Sequence, residues 1–175
     1  MLTYNKMTLD QCDKITEMDT SQYIGRAWRE VDGERRLIDI DYQDPTWPNG
    51  YDFHYKNLKE TIATEGEAVG AFDENGKLIG FVTVNRMNFG INTTYALLDQ
   101  LFVSLESRGQ GIGKKLFQAA IEIAKRLGVD HLFICAGSAE ETIAFYRSVG
   151  CVDAKERHDT FYESDPRDLQ MMYTL

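Results

Sequence analysis

The stretch from Leu101 to Lys114 constrains the fold of this chain more than any other. A short apolar run, Leu101-Phe102-Val103, breaks into Ser104-Leu105-Glu106-Ser107-Arg108, and Gly109-Gln110-Gly111-Ile112-Gly113-Lys114 follows. Helical periodicity then takes over. Ile112, Leu116, Ala120, Ile123 and Leu127 share one face and Gly128 stops the run, so the spacing predicts a helix over Gln110–Leu127. The first turn of a helix leaves four N–H groups without intrahelical partners, and the macrodipole makes that end positive. Glycines let the backbone approach a pyrophosphate closely, because no Cβ intervenes. Arg108, Lys114 and Lys115 add positive charge. A plain tight turn is the competing reading. The spacing is neither the G-x-G-x-x-G of a dinucleotide fold nor the G-x-x-x-x-G-K-[ST] of a P-loop. A dinucleotide turn would also follow the first strand, not stand two-thirds along the chain.

Around this loop the chain reads as strands in front and strand–helix units behind. Thr3–Met7 suits an edge strand, and Thr8 suits the N-cap of a helix to about Met18, with Leu9, Cys12, Ile15 and Met18 at helical spacing. Two extended runs within Tyr23–Tyr42 flank Asp32-Gly33, a hairpin turn pair. Asp44–Gly50 is loop, and a helix is expected over about Tyr51–Glu65. Ala68–Phe72 and Leu78–Val84 flank Asp73-Glu74-Asn75-Gly76 as a second hairpin, and Tyr95–Val103 is a further strand. His131–Cys135 reads as a buried central strand, and Ser138-x-x-Glu141 as a capping box opening a helix that ends at Gly150. Extended runs over about Cys151–Arg157 and Leu169–Leu175 close the chain. That order implies an α/β fold, one domain over 1–175, with a mixed central sheet and flanking helices.

Charge and cysteine content narrow the function. A net charge of −9 argues against a nucleic-acid partner. Yet Arg108–Arg126 holds five basic residues and one acid, whereas Glu30–Asp52 holds seven acids and two arginines. One region suits an anion and the other a cation, unless both are merely solvated faces. Cys12, Cys135 and Cys151 are dispersed, as are His54, His131 and His158, so neither disulfides nor a metal site is expected, and a reducing, cytoplasmic setting follows. No segment has the pattern of a signal peptide or a membrane span.

The loop, read as Arg108-Gly109-Gln110-Gly111-Ile112-Gly113, resembles motif A, [RQ]-x-x-G-x-[GA], of the GNAT superfamily of acetyl-CoA-dependent N-acetyltransferases. Leu98-Asp99-Gln100-Leu101-Phe102-Val103 is similar to the strand that precedes it there, and Ala144-Phe145-Tyr146-Arg147-Ser148-Val149-Gly150-Cys151 is similar to the family's motif B. The resemblance spans roughly Leu78 to the C-terminus. It implies a GNAT fold in which acetyl-CoA lies between two splayed parallel strands, Leu101–Val103 and His131–Cys135. Leu101 and Val103 would be backbone partners of the pantetheine arm. Arg108, Gly109, Gln110, Gly111, Ile112, Gly113 and Lys114 would hold the diphosphate. Where the family often has Asn, this chain reads Gly137-Ser138-Ala139; Ser138 would substitute as a hydrogen-bonding group or serve as a helix cap. Cys151 stands where Phe is usual.

Acetyl transfer to a primary amine needs a base for the ammonium and an acid for the leaving thiolate. Asp99, flanked by Leu97, Leu98 and Leu101, is the candidate base, because a carboxylate is costly there unless used or paired. Glu106 is the second choice. The resemblance assigns Tyr146 the acid role; helix packing is the alternative. Glu30, Asp32, Asp39, Asp41, Asp44, Glu163 and Asp165 would favour a small cationic amine or peptide amine, with Tyr42, Trp47, Tyr51 and Tyr55 as an aromatic wall. The rival from another class is a GNAT fold that binds CoA as a sensor without turnover. A homodimer through the edge of Gln170–Leu175 is a further expectation.

Overall fold

The computed structural model describes residues 1–175. It opens with β1 (Thr3–Lys6) and a 3₁₀ segment, Leu9–Glu17, entered where Gln11 Oε1 accepts from the Thr8 N–H at 3.1 Å. The α-helix expected from Thr8 to Met18 is therefore a tighter one. Its apolar residues recur every third position, and a 3₁₀ helix with three residues per turn stacks such positions on one face. Cys12, Ile15 and Met18 are buried as a result.

β2 (Gln22–Val31) and β3 (Glu34–Asp44) turn at Asp32 and Gly33, whose φ values of 52° and 79° supply the left-handed pair that a two-residue hairpin needs. They form a separate two-stranded sheet. After α1 (Tyr51–Ala63) come β4 (Glu67–Phe72), β5 (Leu78–Arg86) and β6 (Tyr95–Val103), then α2 (Ile112–Leu127), β7 (His131–Ala136) and α3 (Glu140–Ser148). The chain ends with β8 (Val152–Asp153), α4 (Asp159–Ser164) and β9 (Leu169–Thr174). The main sheet runs β1-β4-β5-β6-β7-β9-β8, and β6–β7 is its only parallel pair. α2 is the crossover between those two strands.

Two cores sandwich the sheet. On one face Val82, Val84, Ala96 and Leu98 pack with Leu116, Ala120, Ile123 and Ala124 of α2 and with Ile143 and Tyr146 of α3. On the other, Cys12, Ile15 and Leu58 pack with Ala68, Leu78 and Phe81. No helix is long and apolar enough to cross a membrane.

Two expectations at the C-terminal end give way. Only Val152–Asp153 of the Cys151–Arg157 run is strand, and α4 follows, with His158 Nδ1 accepting from the Phe161 N–H at 3.3 Å. β9 lies between β7 and β8, with Met171 and Met172 paired on both sides and Tyr173 and Thr174 paired with β7 alone. The cap of α3 is Ala139, not Ser138. The Ser138 hydroxyl accepts instead from Arg29 Nη1 at 2.8 Å.

Candidate functional site

β6 and β7 are paired from Tyr95 and His131 up to Leu98 and Ile134, and there they part. The cause lies one residue on. Val84 faces Leu98 and Thr83 faces Gln100, so Asp99 is the extra residue of a β-bulge in β6. A bulge bends its strand and adds twist. It also shifts parity: Ala96 and Leu98 pack on the α2 side before it, Leu101 and Val103 after it. β7 does not follow, because it stays paired with β9 through Ala136. The opening thus faces Cys135–Ser138 rather than all of His131–Cys135, most of which remains hydrogen-bonded to β6.

Ser104 turns its N–H to Ile79 O of β5 at 2.8 Å. By the alternation of an antiparallel ladder, the polar backbone groups of Leu101 and Val103 point the other way, into the opening. The Val103 carbonyl accepts from Arg108 Nε at 3.0 Å.

The loop below the opening is built on left-handed glycines. Gly109 (φ 76°) and Gly111 (φ 80°) have open space where a Cβ would stand. Gly111 is the N-cap, so α2 starts at Ile112 and Gln110 belongs to the turn, its Nε2 reaching Glu106 O at 3.4 Å. The first intrahelical bond runs from Lys115 N–H to Gly111 O at 3.2 Å, which leaves the amides of Ile112, Gly113 and Lys114 without helical partners. A Cβ on Gly113 would sit 3.2 Å from the Phe145 ring, so glycine is what lets α3 lie against the loop. Arg108 is braced inward, with Nε on Val103 O and Nη1 on Ser21 O at 2.9 Å, and burial lowers its pKa. Lys114 is exposed. Bare amides, empty Cβ positions and positive charge fit a diphosphate.

Asp99 borders a recess of about 280 Å³ whose other walls are Asn57, Glu60, Thr61 and Thr64 of α1, Asn85 of β5 and Leu97. Its side chain keeps contact with solvent, yet the enclosing walls push its carboxyl above the usual carboxylate range, and no cation opposes this. Glu106 is the reverse case. Lys77 Nζ at 2.9 Å and Ser104 Oγ at 2.8 Å hold it down to about 2, so it is a poor base at neutral pH.

Tyr146 is buried on the α2 side, with Phe145 and Phe117 rings at 5.2 and 6.3 Å, and burial pushes its hydroxyl well above the ordinary tyrosine range. Asp99 lies on the opposite face of the sheet.

One residue at the mouth escaped the sequence reading. Cys135 pairs with Gln170 and Ala136 with Leu169, so Asp168, the residue just before β9, stands on the same face as Cys135. Burial, then Asp165, raise its pKa to about 7. Burial, then Asp168, Asp99 and Asp165, push the Cys135 thiol up to about 12. The sequence signal was the string Glu163-x-Asp165-x-x-Asp168, of which only the first two acids drew attention.

The expected aromatic wall does not form. Trp47 is 6% exposed in the α1-side core, and Tyr51 and Tyr55 stack on each other at 5.7 Å, half-buried against that core. Tyr42 is exposed on β3, and the hairpin carries Glu30, Asp32, Asp39, Asp41 and Asp44 away from the recess that holds Asp99. The hairpin instead grips the start of α3: Trp28 N–H donates to Ser138 O at 2.8 Å, and Arg26 forks onto Glu140 at 2.6 and 2.9 Å.

Residues 34–151 match the family model described as the acetyltransferase (GNAT) family. No curated protein matches the sequence. Nourseothricin acetyltransferase superposes with a TM-score of 0.76 at 21% identity, covering 99% of this chain and 98% of that one. A Bacillus anthracis str. Ames protein described as a streptothricin acetyltransferase, solved with acetyl coenzyme A, gives 0.74 at 18% identity over 100% and 98%. PaiA N-acetyltransferase of Thermoplasma acidophilum, solved with coenzyme A, gives 0.62 at 16% identity over 100% and 99%. At such identities the likeness is one of fold.

Proposed function

Because the chain belongs to the GNAT family of acetyltransferases, with acetyl-CoA as co-substrate, we propose that it acetylates a primary amine by direct transfer, with Asp99 as base and Tyr146 as acid. The observation that carries this reading is the parting of β6 from β7 at the Asp99 bulge, directly above the glycine loop.

Acetyl-CoA supplies the activated acyl group as a thioester. The amides of Ile112, Gly113 and Lys114, with Gly109, Gln110 and Gly111 before them, would hold its diphosphate, and Lys114 adds charge. Arg108 shapes the loop from behind. Leu101 and Val103 would bond the pantetheine arm, and Ser138 stands across from them, its hydroxyl engaged by Arg29.

An alkyl ammonium of pKa near 10.4 is neutral in only about 1 part in 2,500 at pH 7, a cost of roughly 4–5 kcal/mol. A carboxylate whose pKa is raised is the better acceptor for that proton. Asp99 takes the ammonium's proton (through a water, given the short side chain) and releases it to solvent. As the C–N bond then forms and the C–S bond breaks, Tyr146 gives its proton to the sulfur, and the second proton shed by the nitrogen passes through water to restore the tyrosine. Burial holds the Tyr146 hydroxyl in its neutral form at pH 7 and also makes it a weaker acid, so its proton moves only as the C–S bond breaks.

The acceptor is a small cationic amine or a peptide amine. Asp99, Asp165 and Asp168 favour positive charge at the mouth, and the polar recess favours an acceptor that also forms hydrogen bonds. Three unpaired thiols suit a cytoplasmic setting. Thiol release from acetyl-CoA across a panel of amines tests the reading. Release that depends on a cationic acceptor is expected. Release indifferent to acceptor charge removes the acidic-mouth argument, and absence of any affinity for CoA removes the loop assignment.

A further inference from the structure

We propose that Gln100 and His54 are a positioning pair that sets Asp99 relative to α1 and so fixes the geometry of the acceptor recess; this rests on the reading of Asp99 as the base. The observation is a closed hydrogen-bond network at the residue that follows the bulge.

A bulge disrupts ladder bonds, and the groups it strands must find other partners. Gln100 N–H donates to Thr83 Oγ1 at 3.0 Å, and the same hydroxyl donates to Gln100 Oε1 at 3.4 Å. Gln100 Nε2 directs both hydrogens at His54, one to the ring Nδ1 and one to the carbonyl oxygen, each at 3.0 Å. His54 Nε2 bonds the Pro48 carbonyl. A carbonyl only accepts, so the ring proton sits on Nε2 and Nδ1 is left as the acceptor that Gln100 requires. Every polar atom in the set is matched, and Thr83, Gln100 and His54 are 0%, 2% and 7% exposed.

An apolar side chain at position 100 would fill this site without such matching. A satisfied buried network defines one geometry where apolar packing allows several. What it fixes is evident from the helix. Asn57 and Thr61 lie three and seven residues beyond His54, on the same face of α1, and both line the recess bordered by Asp99. The two bonds from Gln100 therefore index the recess wall on α1 to the carboxylate on β6.

The test compares Gln100→Leu, His54→Leu and His54→Asn in the full chain. Asn can present an oxygen near the place of Nδ1. Measurements are kcat, KM for acetyl-CoA and amine, the pH dependence of kcat, and the Asp99 carboxyl titration followed by carbon-13 NMR. Gln100→Leu and His54→Leu should lower kcat by about 10–100-fold, the scale of a small misplacement. KM for acetyl-CoA should stay within about two-fold, since the loop is untouched. The Asp99 titration and the acid limb of kcat should move together, and His54→Asn should recover most of the loss. Wild-type titration and acid limb in a folded Gln100→Leu protein overturn the proposal, as does a parallel loss of kcat and acetyl-CoA binding. Should Gln100→Leu fail to fold, Thr83→Val removes one anchor and must shift the same two readouts in the same direction. An Asp99→Asn protein of unchanged kcat would instead strike the base assignment, whereas the NMR titration judges placement without recourse to turnover.

Discussion

Tyr146 and Asp168 are moved by burial towards holding a proton, and Asp99, which is exposed, by the walls of its recess; each carries a separate prediction. Asp99 accepts a proton only when ionised, so kcat should rise with pH through its elevated pKa. Asp99→Asn should flatten that limb and lower kcat by about 10²–10⁴, read by continuous thiol release. Tyr146→Phe should lower kcat by about 10² while KM for acetyl-CoA stays within about two-fold; equal losses of both would remove its acid role. Asp168 has a folded pKa of about 7 against an ordinary 3.8. A raised folded pKa contributes stability below the unfolded value and loses it as pH climbs through the folded one. Asp168→Asn should therefore gain on the wild type between about pH 4 and pH 7, by roughly 2–4 °C in Tm for each kcal/mol relieved, and thermal melts across that window check it. The first two residues were legible in the sequence. Asp99 is a charge inside an apolar strand, and Tyr146 sits in a recognisable string. Asp168 was not, because pairing between β7 and β9, over thirty positions apart in sequence, is what carries it to the mouth.

Among the elements, the glycine loop and α2 were the most legible, since both are set by neighbours in sequence. Gly111→Glu tests the loop. At φ 80° a side chain costs on the order of 1–2 kcal/mol, and the added carboxylate would face a diphosphate. CoA affinity should fall by more than about ten-fold by calorimetry, with the far-ultraviolet spectrum retained. The elements that departed from expectation did so for physical reasons. A three-residue apolar period fits a 3₁₀ segment as well as one stripe of an α-helix, and packing chose the former. Ser138 has the chemistry of a cap, but the hairpin reaches it first: Arg29 takes its hydroxyl and Trp28 its carbonyl. The run after Cys151 has strand-like residues and little sheet to join, because β9 offers β8 only Met171 and Met172.

Across the whole molecule, strand order was the least legible property. Local pattern marks where strands are, but the sequence of neighbours β6-β7-β9-β8 depends on which faces α2, α3 and α4 must cover. The candidate site inherits that order. Its glycine loop comes from one crossover, Asp99 from a strand that leaves its partner, Tyr146 from the helix after the next strand, and Asp168 from near the chain's end. The irregular strand has one more implication. Ala96 and Leu98 share a face with Leu101 and Val103 only because an uneven number of positions separates the two pairs. A chain shortened by one amino acid at that point would turn the later pair outward and let the neighbouring strand zip across the gap. Exchange of the side chain at position 99 is thus a question of rate, whereas its deletion is a question of whether an aperture exists, so related sequences should keep the length of the strand there even where the residue differs.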